Sequence, residues 1–391
     1  MTAPIWHLLT GEYPPQPGGV SDYTAQLAAA LAAGGAEVHV WTTGEDVIAG
    51  PGVAVHRSAG RWSTLDLARL STALDAFPSP RRLLAQHVPP LWGYRGLNLG
   101  FGRWLLQRRV QGDDVRVMFH EVRYHTRLFD KPTRWLLAAV QWRLVRDMLA
   151  ASTQVYVSTP SWEPLLRRHG APGRRAPVTW LPVPSNIPVI ADPTGVAALR
   201  RRFAPEGEVV VGTFGTFSGA VAALLAQSLP CLLLEHPSRR ALLLGRGGDR
   251  FAEQTIAAHP SLAGQLDAPG PLPAADVSRY LQACDVIVQP YPDGVTSRRT
   301  STMAALAHGR AVVTNAGALA EPFWADSRAV ALAPSPDSAG LVRAAEALLA
   351  DPAARSRLGA EGRQFYERSF AIERTVETLL RPVCERGGCP E

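Results

Sequence analysis

The sequence predicts an α/β protein with two domains, each built on a doubly wound parallel sheet. Length is the first observation, because 391 residues are more than one small domain requires. The second is the alternation of apolar strand patterns with helix patterns in both halves of the chain. The third is a stretch with six prolines between Ala171 and Gly195, which predicts an irregular connection and a domain boundary near Ser185.

The first half opens with the pattern of a βαβ unit. Ser21 is the predicted cap of its helix, and Gly34 and Gly35 provide the left-handed backbone that returns the chain to the sheet. Strands are predicted at 5–10, 37–43, 115–119 and 154–158, and helices at 21–33 and 133–150.

The second half repeats the alternation after the prolines. Strands are predicted at 209–212, 241–244, 286–289 and 311–314, and helices at 219–227, 274–283, 300–308, 338–349 and 353–380. The predicted domains are therefore 1–185 and 186–360, with a terminal helix within 361–391.

Composition excludes several classes of protein. The chain is 46% hydrophobic with a mean hydropathy of -0.02, and no run reaches the length of about 18 apolar residues that a membrane span requires. The start of the chain lacks the pattern of a signal peptide, so we expect a cytoplasmic location. The four cysteines, Cys231, Cys284, Cys384 and Cys389, are interpreted as free thiols.

Charge is divided unevenly between the halves. Residues 1–186 hold 20 basic and 13 acidic residues (+7), whereas residues 187–391 hold 20 and 21 (-1). The excess in the first half suits an anionic acceptor or a lipid headgroup surface. The arginines are scattered and accompany no nucleic-acid motif, so no nucleic-acid partner is predicted.

A glycine loop follows the first strand and ends at a helix N-terminus. It reads GEYPPQPGGV, and its glycines permit a ligand to approach backbone N–H groups where the helix favours negative charge. The alternative interpretation is a loop that needs positive φ angles.

The segment EYPPQPGGVSDYTAQLAAALAAGGAEVHVWT resembles the opening of glycosyltransferase family 4, a large retaining family of GT-B fold that uses nucleotide-sugar donors. In the second half, LLLGRGGD, LDAPGPLPAADVSRYLQACDVIVQPYPDG and MAALAHGRAVVTNAG are similar to the same family. The resemblance implies two Rossmann-like domains facing across a cleft, with the acceptor side in the first and the donor side in the second. It also implies that the terminal helix crosses back to the first domain.

The resemblance implies roles for residues of the first half. Gly18 and Gly19 match the loop that faces the donor phosphates, and His120 matches a histidine beside the donor sugar. His120 follows a predicted strand, where a neutral ring can orient a hydroxyl group. Acceptor-side candidates are Tyr13, Asp22 and Glu121.

Two departures from the family pattern concern the donor side. Thr296 and Ala304 stand where relatives commonly carry two glutamates for the donor sugar and the ribose. Thr213 and either Ser218 or Gly219 stand where relatives place an arginine and a lysine for the diphosphate. Gly215 and Thr296 remain donor-side candidates.

Arg298 and Arg299 are the predicted replacement for the missing cations. They precede a helix whose predicted cap is Thr300 or Ser301, so guanidinium groups and free N–H groups converge on one anion. A solvated arginine pair is the alternative. Asp293 is a candidate for recognising donor hydroxyl groups, and an Asp-Gly turn is its alternative interpretation.

The function that the resemblance implies is transfer of a sugar, with retention, from a nucleotide-sugar donor to a small-molecule, glycan or glycolipid acceptor. No metal or other cofactor is expected, since positioned arginines can stabilise the leaving diphosphate. The alternatives are an epimerase or pseudo-glycosyltransferase of the same fold, or a degenerate protein that only binds a nucleotide or a partner.

A peripheral membrane contact at the inner face is a further expectation, from the stretch TRWLLAAVQWRLVRDMLAAS. Its alternative is packing inside the domain.

Overall fold

Each half of the chain forms one parallel sheet covered by helices. The computed structural model describes residues 4–44, 48–57, 60–123, 131–170, 176–217 and 219–381. The strands are β1 (Ile5–Leu9), β2 (Glu37–Trp41), β3 (Val53–His56), β4 (Arg82–His87), β5 (Asp114–Phe119), β6 (Gln154–Val157), β7 (Val178–Trp180), β8 (Val209–Phe214), β9 (Arg239–Leu244), β10 (Leu266–Gly270), β11 (Val286–Val288), β12 (Ala311–Asn315) and β13 (Ala331–Ala333).

Helices connect the strands on both faces of the sheets. They are α1 (Gly19–Ala33), α2 (Thr64–Asp75), α3 (Leu99–Val110), α4 (Pro132–Ala151), α5 (Trp162–His169), α6 (Pro193–Phe203), α7 (Gly219–Leu233), α8 (Gly248–Ala258), α9 (Ala274–Ala283), α10 (Thr300–Ala307), α11 (Phe323–Asp326), α12 (Ser338–Ala350), α13 (Pro352–Ser369) and α14 (Ile372–Leu380).

The strand orders are β3-β2-β1-β4-β5-β6-β7 in the first sheet and β10-β9-β8-β11-β12-β13 in the second. All pairs are parallel. In each sheet the order reverses between the first strand and the fourth, as in doubly wound folds. The prediction of two Rossmann-like domains is confirmed.

The chain divides into two compact units. The N-terminal unit takes in the described residues up to Pro182 and those from Ile372 onward, and the C-terminal unit is Val183–Ala371. The predicted terminal helix is two helices, because α13 ends at Ser369 and α14 begins at Ile372. Within the N-terminal unit α14 packs on α1, and Nη1 of Arg116 donates a 2.9 Å hydrogen bond to the Leu379 carbonyl.

Three local predictions were wrong. Ser21 does not cap α1, because the helix begins at Gly19 and Ser21 lies in its first turn. The stretch between Ala171 and Gly195 is not wholly irregular: β7 lies within it, and α6 begins at Pro193, where a missing N–H costs a helix nothing. Helix α7 runs beyond its predicted end at residue 227 and contains Pro230 near its end.

Glycine positions explain two features of the fold. Gly35 adopts a φ of 85°, the left-handed backbone predicted for the turn after α1. Gly212 lies in β8, where a Cβ atom would come within 2.5 Å of the Cys284 sulfur. Its lack of a side chain lets the segment after α9 approach β8, which ends at the candidate site. Cys231 and Cys284 are free thiols, and Cys384 and Cys389 lie outside the described residues.

Candidate functional site

A cavity of about 360 Å³ opens at the C-terminal ends of β8 and β11 in the C-terminal unit. These strands are neighbours at the point where the order of the second sheet reverses. Ligands of open α/β sheets bind at such a point, because the connections on either side lead away and leave a crevice. The lining residues are Asn186, Thr213, Phe214, Gly215, Thr216, Phe217, Val221, Leu225, Gln289, Tyr291, Arg298, Arg299, Thr300 and Ser301.

The side-chain amide of Gln289 joins three parts of the cavity wall. Its Oε1 accepts a 3.0 Å hydrogen bond from the Phe214 N–H, and its Nε2 donates to the Phe214 carbonyl at 2.7 Å. The same Nε2 donates to Oγ of Ser301 at 2.8 Å. Gln289 therefore fixes the end of β8 to the start of α10. Gln289 is not among the residues predicted from the sequence, although a polar side chain directly after an apolar strand is a usable signal.

Tyr291 holds the start of α10 from a second direction. Its hydroxyl group lies 2.8 Å from Oγ of Ser301 and 2.8 Å from Oγ1 of Thr302. Asn315 fixes the Tyr291 backbone, since its Oδ1 accepts from the Tyr291 N–H at 2.9 Å and its Nδ2 donates to the Tyr291 carbonyl at 2.7 Å. Tyr291 and Asn315 were also missed, because they act through contacts that sequence spacing does not reveal.

Helix α10 points its N-terminus at the cavity. The N-cap position is Arg299, so the prediction of Thr300 or Ser301 as the cap was wrong, and these two residues form the start of the helix. No side chain of the described residues caps α10, and the N–H groups of its first turn have no acceptor inside the helix. The cavity therefore faces free backbone donors and the positive end of the helix dipole.

Both predicted arginines line this cavity. Their side chains are 18% and 25% exposed for Arg298 and Arg299, so they are not a solvated pair. The guanidinium carbon of Arg299 lies 4.5 Å from the centre of the Tyr291 ring. The Nε–H of Arg299 is buried and finds no acceptor in the described part of the chain. Both arginines and the start of α10 therefore border one cavity, and their convergence on one anion stays a prediction.

The loop that carries the arginines is anchored by a buried carboxylate. Glu321 accepts hydrogen bonds from the Ser297 N–H at 3.0 Å and from Oγ of Ser297 at 2.7 Å. It also accepts from Nε1 of Trp324 at 2.9 Å. These contacts fix Ser297, the residue directly before Arg298, and thereby the backbone from which both arginine side chains extend.

The other predicted donor-side residues occupy different positions. Thr213 lines the cavity and donates its hydroxyl to the Val288 carbonyl at 3.1 Å, while Gly215 lines it with a φ of 143°. Thr296 is fully buried and does not line the cavity, and its carbonyl accepts from the Arg299 N–H. Asp293 directs its carboxylate at the arginines. The Ser218 alternative lies outside the described residues.

The glycine loop of the N-terminal unit already holds a carboxylate. Oε1 of Glu12 accepts a 3.0 Å hydrogen bond from the Ser21 N–H in the first turn of α1. Burial raises the pKa of Glu12, although hydrogen bonds from the backbone oppose the shift. Gly18 has extended backbone (φ -177°), which any residue adopts, and a Cβ there would lie 2.4 Å from Oε1 of Glu12, so a larger residue would displace the Glu12 side chain. Gly18 and Gly19 therefore border a helix N-terminus that their own chain caps.

His120 directly follows β5 and is buried. Its Nε2 lies 2.8 Å from Oε1 of Gln86, and its ring packs edge-on against Tyr23. Burial, with a smaller contribution from the charge of His87, lowers the pKa of His120 to about 3. Burial also lowers the pKa of His87 to about 4. His120 is therefore a neutral ring at physiological pH, suited to hydrogen bonding and not to carrying charge.

The acceptor-side candidates lie on elements of the N-terminal unit. Tyr13 is buried in the loop after β1, and burial raises its pKa. Asp22 lies in the first turn of α1. Glu121 follows His120 beyond the end of β5, so strand alternation does not determine its direction.

Helix α4 is buried in its C-terminal half and exposed at its start. Val145 and Met148 belong to the core, whereas Trp135 is 47% and Leu136 is 68% exposed. Of the helices that the structure describes, none is long and apolar enough to span a bilayer. Within the described ranges, no group of three or more His, Cys, Asp or Glu residues is arranged to hold a metal ion.

Comparison with known proteins gives matches to both halves of the chain. Residues 18–176 match the family model described as a glycosyl transferase 4-like domain, and residues 231–381 match that described as glycosyl transferase-like. Together the matches cover more than three quarters of the chain. Among curated proteins, none matches.

Solved structures of similar fold span nearly the whole chain. Sucrose-phosphate synthase from Thermosynechococcus elongatus has 20% identity and a TM-score of 0.68, covering 96% of this chain and 97% of its own. WaaG, a glycosyltransferase involved in lipopolysaccharide biosynthesis, has 14% identity and a TM-score of 0.67, covering 96% and 99%. Anabaena HepE in complex with UDP and glucose has 14% identity and a TM-score of 0.67, covering 96% and 98%.

The buried histidines predict a pH-dependent stability of the N-terminal unit. In the unfolded chain His87 and His120 bind protons below about pH 6.5, whereas in the folded state both stay neutral down to about pH 4. Acid therefore lowers the free energy of unfolding, and this loss is absent above pH 6.5. Between pH 6.5 and about 4 the free energy of unfolding should fall by about 1.4 kcal/mol per pH unit for each histidine. Urea unfolding followed by tryptophan fluorescence measures this slope.

A His120→Gln variant is the matched comparison for that slope. It removes one titrating group, so its stability should fall less steeply with acid than that of the parent. Equal slopes for the two proteins would contradict the assignment of a neutral, protonation-resistant His120.

Proposed function

We propose that this chain, which belongs to the GT4-like glycosyltransferases of GT-B fold, transfers a sugar from a nucleotide-sugar donor to an acceptor hydroxyl group. One observation carries the donor assignment: two guanidinium groups and the N-terminus of α10 border one cavity at the switch point of the second sheet. Cations and uncapped N–H groups together suit a diphosphate, which needs both charge and many hydrogen-bond donors. Because HepE has been solved with UDP and with UDP-glucose, UDP is the first nucleotide to test.

The proposed chemistry is transfer with retention and without a metal. The acceptor oxygen attacks the anomeric carbon from the side on which the diphosphate leaves. As the bond from that carbon to the phosphate oxygen breaks, the acceptor hydroxyl gives its proton to the leaving phosphate. Arg298 and Arg299 would stabilise the negative charge that develops on the diphosphate, so positioning and electrostatics supply the rate.

A neutral His120 fits an orienting role in this reaction. The single N–H of the uncharged ring, on Nε2, donates to Oε1 of Gln86, so only Nδ1 can accept a hydrogen bond from a sugar hydroxyl group. Its low pKa keeps the ring uncharged across the physiological range. The acceptor is proposed to be a small molecule, a glycan or a glycolipid. Tyr13, Asp22 and Glu121 remain the acceptor-side candidates.

Two other functions use the same cavity and differ in outcome. An epimerase would rearrange the nucleotide-sugar. A pseudo-glycosyltransferase would couple a cyclitol and would not form the usual glycoside. A degenerate protein would bind the nucleotide without turnover. A thermal-shift panel of UDP, GDP, ADP, CDP and dTDP identifies the base, and incubation with the matching nucleotide-sugars then separates transfer, rearrangement and binding alone. Absence of any nucleotide effect would count against all three.

Replacing the arginine pair tests the donor site. The double variant Arg298→Ala, Arg299→Ala should bind the stabilising nucleoside diphosphate more weakly, by about 1.5 to 3 kcal/mol for each charged hydrogen bond lost. Isothermal titration calorimetry measures the change, and circular dichroism checks the fold. The control is Arg201→Ala, Arg202→Ala, an exposed arginine pair on α6 that does not line the cavity. Unchanged affinity in the Arg298/Arg299 variant would refute the donor site.

We further propose that the start of α4 contacts a membrane surface, at the inner face of a cytoplasmic membrane. Trp135 and Leu136 expose apolar surface beside the exposed cationic residues Lys131 and Arg134. Apolar side chains beside cations suit an interface with anionic lipid. This contact would bring the protein to a glycolipid acceptor.

Vesicle binding tests this contact. The variant Trp135→Ser, Leu136→Ser should bind phosphatidylglycerol vesicles about tenfold more weakly than the parent, because partial burial of two apolar side chains is lost. Cosedimentation measures the binding. The control variant Leu65→Ser, Val110→Ser removes two other exposed apolar side chains of the same unit. Equal loss in both variants, or no binding by the parent, would contradict the proposal.

A further inference from the structure

Asp293 stands against both arginines of the cavity. Its carboxylate accepts a hydrogen bond from Nη2 of Arg299 at 2.5 Å, and its other oxygen lies 3.7 Å from Nη2 of Arg298. Asp293 does not itself line the cavity. The cationic site thus includes a carboxylate of its own.

We propose that Asp293 is an internal counter-ion that limits how tightly the site holds a diphosphate, so that the diphosphate product can leave. This inference rests on the proposed function of the cavity as the donor site. The two guanidinium groups carry two positive charges, and Asp293 cancels one of them. The site therefore presents a net charge of about one positive unit from these three side chains, together with the partial charge of the α10 N-terminus.

The charge of the ligand changes during the reaction. A nucleotide-sugar carries two negative charges on its diphosphate. The nucleoside diphosphate left behind gains an ionisable terminal phosphate whose last proton dissociates at a pKa of about 6. A site with two uncompensated cations would hold this more negative product tighter than the donor. By cancelling one charge, Asp293 reduces that preference.

The turn that carries Asp293 is fixed, so the carboxylate acts in place. The Leu319 N–H donates to the Asp293 carbonyl at 2.8 Å. Gly294 has a φ of 89° and lies so close to Gly317 that a Cβ atom on either residue would come within 2.5 Å of the other's backbone. The backbone of this turn therefore holds Asp293 beside the arginines, next to a cavity that Asp293 does not itself line.

An Asp293→Asn substitution isolates the effect of charge. Asparagine keeps the shape of aspartate and one oxygen that accepts from Arg299, while the negative charge is lost. The ring of Tyr291 also contacts the Arg299 guanidinium group and helps to keep it in place. A purely structural role of Asp293 predicts weaker binding in this variant, whereas a counter-ion role predicts tighter binding.

The matched control is Glu346→Gln. Glu346 pairs with Arg239, the first residue of β9, and so lies at the N-terminal end of a strand, whereas the cavity opens at C-terminal strand ends. Its side chain is 35% exposed, against 31% for Asp293, and its loss changes the net charge by the same amount. General effects of net charge on anion binding therefore appear equally in both variants.

Titration of UDP and of inorganic pyrophosphate into the full-length parent and both variants at low ionic strength tests the proposal. Asp293→Asn should bind both probes roughly tenfold more tightly than the parent, the size expected for removing one nearby like charge through partly screened solvent. The gain should shrink as salt is added. Glu346→Gln should match the parent.

The outcomes separate this inference from the proposed function. If the parent binds UDP or pyrophosphate and Asp293→Asn binds no tighter, the counter-ion role is wrong and the donor site stands. If affinity rises equally in Glu346→Gln, the effect is one of net charge and the counter-ion role is wrong. If neither probe binds the parent or the Asp293→Asn variant, the donor site and the inference fall together.

Discussion

The hydrogen bonds of the Gln289 amide are the constraint on which the candidate site depends. They pair with both backbone groups of Phe214 and reach Ser301, so the end of β8, the end of β11 and the start of α10 share one side chain. An amide is suited to this position because it donates and accepts at once. With these elements held together, Arg298 and Arg299 border the same cavity as the first amides of α10.

A carboxylate of the chain lies at each of the two places where the sequence predicts that an anion binds. Glu12 caps α1 at the glycine loop, and Asp293 pairs with the arginines near α10. The two cases differ in what remains for a ligand. Glu12 accepts a hydrogen bond from a helix N–H group directly. Asp293 pairs with the arginines, which line a cavity of about 360 Å³ that Asp293 does not itself line. Of these two places, the cavity of the C-terminal unit offers an anion the more favourable electrostatic surroundings.

The fold was predictable because its signals are local. Apolar runs such as those of β5 and β11 and the glycine turn at Gly35 lie within a few residues of sequence, and periodicity alone locates them. The arginine pair was also predictable, from its place before a helix. The contacts that support the site were not, because the groups at the site that Gln289, Asn315 and Glu321 hold lie between 12 and 75 residues away from them. Likewise, the sequence alone does not reveal that a Cβ at position 18 would displace the Glu12 side chain.

A crystal structure of the protein with UDP would show where the diphosphate binds. We expect phosphate oxygens within hydrogen-bonding distance of the Arg298 or Arg299 guanidinium group and of a backbone N–H in the first turn of α10. A diphosphate bound elsewhere, with both guanidinium groups and the α10 amides free of it, would show that this cavity is not the donor site.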